Sequence, residues 1–348
     1  MTILLPASHR TMSCGMAAVI ASALILAGCT AESTTENVSS APDPAESTEY
    51  TTPRTMPEGK GSGERDGVFP RTVTHFAGET TLEDEPERVV VISTGQADAM
   101  LSLGIVPVGS TAGDGAEMIP QYLYETYPQL KDELDSVTHV GSRVEPELES
   151  IANLDPDLIV LNLAGKDDAD VFYADASEIA PTVATQGTGL YWKQDFLLLA
   201  DAVGKTEQAQ GWLDDYHADA AAFGARVEGA PTVSFLRKNG DRTRVFGIAS
   251  FSGSVAEDAG LSRPEAQSFT DETSVDISAE LLGQADGDWI FYGVQGGDDT
   301  ELTSLGLWPS LGAVEKGQAV SVDDDVFYLN VGPTAARGVL SVLQEELA

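Results

Sequence analysis

Two short stretches of this chain read nearly alike: Leu148–Val160 (LESIANLDPDLIV) and Ala279–Phe291 (AELLGQADGDWIF). Each has a Glu, an Asp six residues on, another Asp two later, and then an apolar run. Glu149, Asp155 and Asp157 therefore match Glu280, Asp286 and Asp288. Ile151 and Leu154 fit one helical face, and Asp155-Pro156 ends that helix because the residue before a proline avoids helical backbone. Leu158–Leu161 is apolar on both faces, as a strand in a covered parallel sheet must be. A short helix, a turn and a buried strand, written twice, predict two similar α/β lobes. Each lobe presents one Glu at an equivalent place. Two αβ units also resemble each other by chance, so the repeat needs support from elsewhere.

The region between the repeats supplies it. From Trp192 to about Val227 there is no Pro, and apolar residues recur at helical spacing: Phe196, Leu199, Ala200, Val203, then Trp212, Leu213, Tyr216, Ala220 and Phe223. Gly204 and Gly211 weaken the middle by roughly 1 kcal/mol each relative to Ala. One long helix, kinked or broken near Gly204, is expected to join the lobes as a stiff spine.

The first residues address the protein. A weakly basic start at Arg10 precedes an apolar run from about Ala17 to Leu26, then Leu26-Ala27-Gly28-Cys29. That run is shorter than the roughly 20 residues a bilayer span needs and has the shape of a secretory signal. Met12 or Met16 are also possible starts. Cys after Leu-Ala-Gly resembles a bacterial lipobox, in which the Cys29 thiol takes a diacylglycerol; two acyl chains suffice for stable anchoring. A plain signal with an incidental Cys is the alternative. The chain has only two Cys, and the other, Cys14, lies inside the signal. The mature chain thus has no spare thiol for redox work, zinc or nucleophilic catalysis. From Ala31 to about Val68 the chain is dense in Ser, Thr, Glu, Pro and Gly and is expected to be a disordered tether. The expected organisation is a lipoprotein signal at 1–28, a lipid-anchored tether at 29–70, an N-terminal lobe at 71–190, a connecting helix at 191–228 and a C-terminal lobe at 229–348.

The formal net charge is −37. Nucleic acid is excluded as a partner, because phosphate binding needs a basic stripe. The scarce cations become informative, and Arg237, Lys238, Arg242 and Arg244 fall close together. Catalytic constellations are missing. No Ser sits in a Gly-x-Ser-x-Gly elbow, and no glycine-rich phosphate loop is present. His75, His139 and His217 are not at metal spacing, and Asp323-Asp324-Asp325 reads as a solvated turn rather than a metal site. The expectation is a binding scaffold, not an enzyme, with no metal and no resident cofactor.

Strand-like runs at Arg88–Ser93, Pro107–Gly109, Leu158–Leu161, Pro181–Ala184, Thr232–Arg237, Thr243–Phe246, Trp289–Phe291 and Ala319–Val322 alternate with helical segments. Those segments are Gln96–Leu103, Val171–Ile179, Ser252–Ala259 and Pro333–Leu347. Asn239-Gly240 reads as a hairpin turn. This alternation predicts mostly parallel sheets, with a ligand cleft between lobes beyond the carboxyl ends of the strands.

Taken in order, Arg88–Gly109 (RVVVISTGQADAMLSLGIVPVG), the Leu148 unit, the spine, Ser234–Pro264 with SGSVAEDAGLSRP, and Trp308–Glu346 resemble ferric-siderophore substrate-binding lipoproteins of ABC importers. This helical-backbone class of binding protein also includes vitamin B12 and haem binders. The likeness runs from about Arg71 to Ala348. It implies a two-lobed cleft with little closure, a monomer outside the cell membrane, and delivery of a ferric siderophore to a permease. In that family an acidic residue on each lobe meets Arg on the permease, and Glu149 and Glu280 stand in those elements. Two separated carboxylates give register and steering at a transient interface, although each also suits a helix N-terminus on its own. A ferric chelate offers oxygen-rich faces and greasy linkers, for which Arg forks and aromatic planes are apt. The candidates are Arg143 before the first-lobe Glu, Tyr191 and Trp192 entering the spine, and Arg237 at a strand end, followed by Phe251, Tyr292, Trp308 and Tyr328. Each aromatic has a competing place in the core, and Arg237 one in a basic surface hairpin. Relatives often carry Trp where Tyr328 stands. A haem or corrinoid is the alternative ligand, with Tyr328 or Tyr292 as axial donor. A strongly acidic protein mildly favours a neutral or cationic hydroxamate complex over a trianionic catecholate, but a local Arg cluster can override the global field.

The anchor is tested directly: Cys29→Ala is expected to release the protein from membranes or leave uncleaved precursor. Normal processing and membrane association of that variant, followed by fractionation, would refute lipidation.

Overall fold

The computed structural model describes residues 50–348 other than 94, 114, 166 and 167. The expected signal, Cys29 and the first part of the tether lie outside the described residues. A short antiparallel hairpin, β1 (Arg71–His75) and β2 (Gly78–Leu82), precedes the first lobe. That lobe holds β3 (Val89–Ile92), β4 (Gly109–Ala112), β5 (Thr138–Ser142), β6 (Leu158–Asn162) and β7 (Thr182–Thr185). They form one parallel sheet in the order β5-β4-β3-β6-β7. The second lobe holds β8 (Val233–Asn239), β9 (Arg242–Phe246), β10 (Ser274–Asp276), β11 (Trp289–Val294) and β12 (Ala319–Ser321), in the order β10-β9-β8-β11-β12. The orders match position for position, with β9 reversed because it returns from β8 as a hairpin.

The unbroken apolar strands have the predicted cause. Val89 and Val91 enter the central core, whereas Val90 and Ile92 enter the outer one; Leu158 and Val160 alternate with Ile159 and Leu161 in the same way. Both faces are covered, so both must be apolar.

The sequence repeat is a structural one, held by its last Asp. The Asp157 carboxylate accepts from the backbone N–H groups of Glu87 and Arg88 at 2.8 Å each, just before β3. The Asp288 carboxylate accepts from the N–H and hydroxyl of Thr232 at 2.9 and 3.0 Å, just before β8. Each thus fastens the start of the strand that pairs with its own. The units differ elsewhere. Leu148–Asn153 is α-helical, while Ala279–Ala285 winds as a 3₁₀ helix. Asp286 accepts from the N–H groups of Gly312 and Ala313, and Asp155 holds a positive φ of 47° instead.

The spine is broken at Gly204, within the expectation, and two other expectations need correction. The spine is two helices, Trp192–Ala202 and Thr206–Gly224. Gly204, at φ +70°, ends the first: its N–H reaches Asp201 C=O and that of Lys205 reaches Ala200 C=O, the paired bonds of a left-handed helix stop. The hairpin turn is Gly240-Asp241, one residue later than expected, because Asn239 still pairs with Arg242. Residues 50–70 are not a loose tether. Thr52 and Arg54 donate to Glu257 in the second lobe, Gln194 of the spine donates to Thr55 C=O, and Gly61 bridges Thr74 of β1.

The strap has a reason to be ordered. Ten of the eleven residues of Trp192–Ala202 are buried, including Lys193, Asp195 and Asp201. Buried charges need partners. Asp201 accepts from the N–H and hydroxyl of Ser62 at 2.7 and 2.8 Å. Lys193 lies 2.5 Å from Asp258, which also takes the Tyr216 hydroxyl at 3.1 Å and faces Arg54 at 3.1 Å. Burial lowers the Lys193 pKa, and Asp258 opposes that shift.

Lys193→Ala removes one partner of a fully buried pair. It is expected to cost about 3–5 kcal/mol in urea unfolding, toward the lower end because Arg54 still faces Asp258. A loss below ~1 kcal/mol would show that the pair is not needed.

Candidate functional site

The parallel strands of both lobes run with their carboxyl ends toward a shared cleft. A cavity of about 570 Å³ lies there. Gly115, Ala116 and Glu117, in the loop after β4, form its N-terminal wall. The opposite wall comes from the ends of β11 and β12 and the segments after them, including Val294, Asp299 and the run Ser321–Asp325. The loops meet closely: a Cβ on Gly115 would fall 1.5 Å from Gln295 Nε2.

The wall is acidic and ordered. Asp323 accepts from the N–H groups of Asp325 and Val326 at 2.8 and 3.3 Å and so starts the π-helical turn Asp325–Leu329. Arg237, near the end of β8, grips Asp324 with both arms of its fork: Nε to Oδ1 at 2.6 Å and Nη2 to Oδ2 at 2.7 Å. Bidentate charge-assisted bonds of this kind are among the strongest a protein makes. Burial, then Asp323, Asp324 and Glu117, raise the Asp325 pKa to about 6. The run expected as a solvated turn is instead a partly buried wall of the cleft, because the fork on β8 draws Asp324 inward.

The candidate residues divide sharply. Arg237 lies at the cleft, but its charge is already matched. Arg143, half-buried after β5, donates to Ala164 C=O at 2.9 Å beyond β6, at the cleft end of the first sheet. Tyr191 is half-buried in the turn Gly189–Tyr191. It lies beside Tyr50, whose pKa is raised by burial first and then by Tyr191 and Glu257. Trp192 is not a ligand platform. It is 2% exposed, its indole N–H donates to Ser254 at 3.0 Å, and Trp212, Tyr216 and Phe251 meet its ring edge-on. Phe251 is buried with it. Trp308 and Tyr292 pack edge-to-face at 4.9 Å in the core of the second lobe. Only the Tyr292 hydroxyl reaches outward, donating to Asp299 at 3.3 Å. The Tyr328 ring lies over Gly293, where a Cβ would come within 2.8 Å, and its hydroxyl donates to Phe291 C=O at 2.8 Å. Neither tyrosine therefore offers a free oxygen as an axial donor. An aromatic at a helix start or near a strand end serves core and cleft with the same local pattern, which is why the sequence does not separate these two places.

Two groups escaped sequence reasoning. Glu117 has no motif around it. Arg244 is directly across the strands from Arg237 and lies over the Phe246 ring at 5.4 Å. Its Nε is buried without a partner, and burial, then Arg237 and Arg242, lower its pKa. The basic cluster of the hairpin was its only signal. Glu149 and Glu280 are both exposed in the first turn of their matched helices. The Glu280 pKa is lowered by its own backbone N–H and then the Ser278 hydroxyl.

Comparison with known proteins gives the same picture. A family model described as periplasmic binding protein matches residues 89–326. The chain is 31% identical over 294 residues to the probable siderophore-binding lipoprotein YfiY of Bacillus subtilis (strain 168), covering 79% of this chain and 86% of that one. It is 25% identical over 277 residues to the Fe(3+) dicitrate-binding periplasmic protein FecB of Escherichia coli (strain K12), covering 78% and 88%. Among solved structures, Staphylococcus aureus SirA complexed with staphyloferrin B superposes with a TM-score of 0.67 at 27% identity, covering 79% of this chain and 98% of that one.

The raised Asp325 pKa has a signed consequence. A carboxyl whose folded pKa exceeds its unfolded value stabilises most at low pH and loses that contribution as pH climbs through the folded pKa. From pH 4 to pH 7 the wild type is expected to lose stability relative to Asp325→Asn, with the difference levelling off above about 6. Parallel melting curves without that trend would show that Asp325 titrates normally.

Proposed function

We infer that this chain, which belongs to the periplasmic binding protein family, captures a ferric siderophore outside the cell membrane and delivers it to the permease of an ABC importer. One observation carries the reading: the cavity of about 570 Å³ between two lobes, in a chain whose relatives along nearly its whole folded length are named for ferric chelates. A cleft of this volume suits a drug-sized ligand. Iron enters as cargo inside the chelate. Haem and corrinoid fit less well, since the hydroxyls of Tyr292 and Tyr328 are spent on Asp299 and Phe291.

The residues divide the work. Arg237 and Asp324 hold the second-lobe wall in one shape, and Arg143 stands at the first-lobe rim. Glu149 and Glu280 dock the permease. Their support is equivalent placement: each lies in an exposed helix whose unit is fastened by Asp157 or Asp288. Exposed charges at a transient interface act mainly on encounter and register. The lipid on Cys29 keeps the monomer at the membrane.

Tryptophan-fluorescence titration with ferric siderophores, haemin and cobalamin tests the ligand. Binding of at least one ferric siderophore below about 10 μM (~7 kcal/mol) is expected. Haemin or cobalamin binding with no siderophore binding would reverse the reading. For docking, Glu149→Ala with Glu280→Ala should cut uptake while ligand affinity stays within about threefold, as for rim charges. Normal uptake by the double variant, or lost ligand binding, would remove both residues from that role.

A further inference from the structure

Given that reading of the cleft, its charge decides which chelates it accepts. Five carboxylates line the cavity: Glu117 from the first lobe and Asp299, Asp323, Asp324 and Asp325 from the second. No Lys, Arg or His is among the described lining residues. Arg237 touches the lining through Asp324, on which its fork is closed at 2.6 and 2.7 Å. That pair is neutral as a unit and offers little to an anion. Asp323 is held by the N–H groups of Asp325 and Val326, so its carboxylate is fixed at the wall. Arg244 lies across the strands from Arg237 with a buried Nε that has no acceptor, and Arg143 stands at the first-lobe rim; neither is among the lining residues, four of whose carboxylates are left unpaired by Arg.

Siderophore classes differ in the charge they bring. Three hydroxamates neutralise ferric iron, so a trihydroxamate core is neutral and an ammonium arm makes the complex cationic. Three catecholates leave it trianionic, and citrate-type chelates are also anionic. Inside a cleft with low-dielectric walls, like charges repel more strongly than in bulk water.

We propose that this cleft selects ferric chelates of zero or positive net charge, with ammonium-bearing ferric trihydroxamates as the matching type, and rejects tris-catecholate and citrate-type complexes. The ligands named for FecB and SirA therefore do not transfer to this chain. Glu117 and Asp323 line the cavity from opposite walls and are the carboxylates that would meet a cationic arm.

The test titrates the full-length protein, wild type and the isosteric pair Glu117→Gln with Asp323→Asn, against ferrioxamine B, a ferric tris-catecholate and ferric citrate. Titrations run at 20 mM and 500 mM NaCl. The wild type is expected to bind ferrioxamine B at least tenfold more tightly than either anion at low salt, with the gap shrinking at high salt. The double variant should narrow that gap by about tenfold, losing affinity for the cation and gaining it for the anions. Tighter binding of an anionic chelate by the wild type, or a gap indifferent to both salt and substitution, overturns the charge selection and leaves siderophore capture standing. Failure of all three chelates where haemin or cobalamin binds removes the siderophore reading, and the selection with it.

Discussion

The buried charges of Trp192–Ala202 organise this molecule. A helix buried on nearly every side would ordinarily be apolar all round. This one carries Lys193, Asp195 and Asp201 inside. Each is satisfied from a different part of the chain: Lys193 by Asp258 of the second lobe, Asp195 by the Gln186 and Gly187 N–H groups after β7, and Asp201 by Ser62 of the strap. Burial raises the Asp195 pKa to about 7, with the two N–H bonds opposing the rise. Leaving any of these groups unpaired is costly, so the spine is stable only when lobes and strap are all docked.

A second carboxylate extends the same logic to the front of the fold. Asp98 is buried on the first-lobe helix Gln96–Ser102 and accepts from the Thr334 and Ala335 N–H groups at 2.9 Å each, and from the Tyr122 hydroxyl at 3.0 Å. It thereby caps the C-terminal helix Pro333–Leu347, which packs back across the first lobe. Negative charge at a helix N-terminus is favourable, and here it ties distant ends of the chain together. Spine, strap and C-terminal helix thus each tie separate parts of the chain together through buried charges.

That lining shows how charge can be placed without being available. Arg237 has the residue type and the strand-end position suited to gripping an anionic chelate. Its pairing with Asp324 turns it into a strut for the wall that Asp323 and Asp325 complete. Arg244, beside it, keeps an unmatched donor. The hairpin puts both on one face of the sheet, and a single carboxylate decides which of them is spent.

The sequence by itself determined the two lobes, most of their strands though not the edge strands β5 and β10 or the sheet order, the matched positions of Glu149 and Glu280 and the place of the cleft. These follow from local periodicity, because a strand covered on both faces must be apolar throughout and an Asp that fastens a neighbouring strand must recur with its unit. Helix Pro333–Leu347 was legible in the chain, with Pro at its start and a continuous apolar face. Other features were decided only by tertiary structure. Trp192, Phe251 and Trp308 belong to the core although their positions also suit a binding wall, since a ring at a strand or helix end faces whichever partner the other lobe supplies. Residues 50–70 lack the apolar content to order themselves and yet are ordered, because Asp201 and Asp258 need their hydrogen bonds. The break at Gly204 was weakly marked, but it took packing against Phe69 and the turn to Lys205 to separate two helices. Hydrophobic pattern is written residue by residue and can be read from the chain. The pairing of buried charges depends on which distant groups the finished fold brings within about 3 Å of each other, and no local pattern records it.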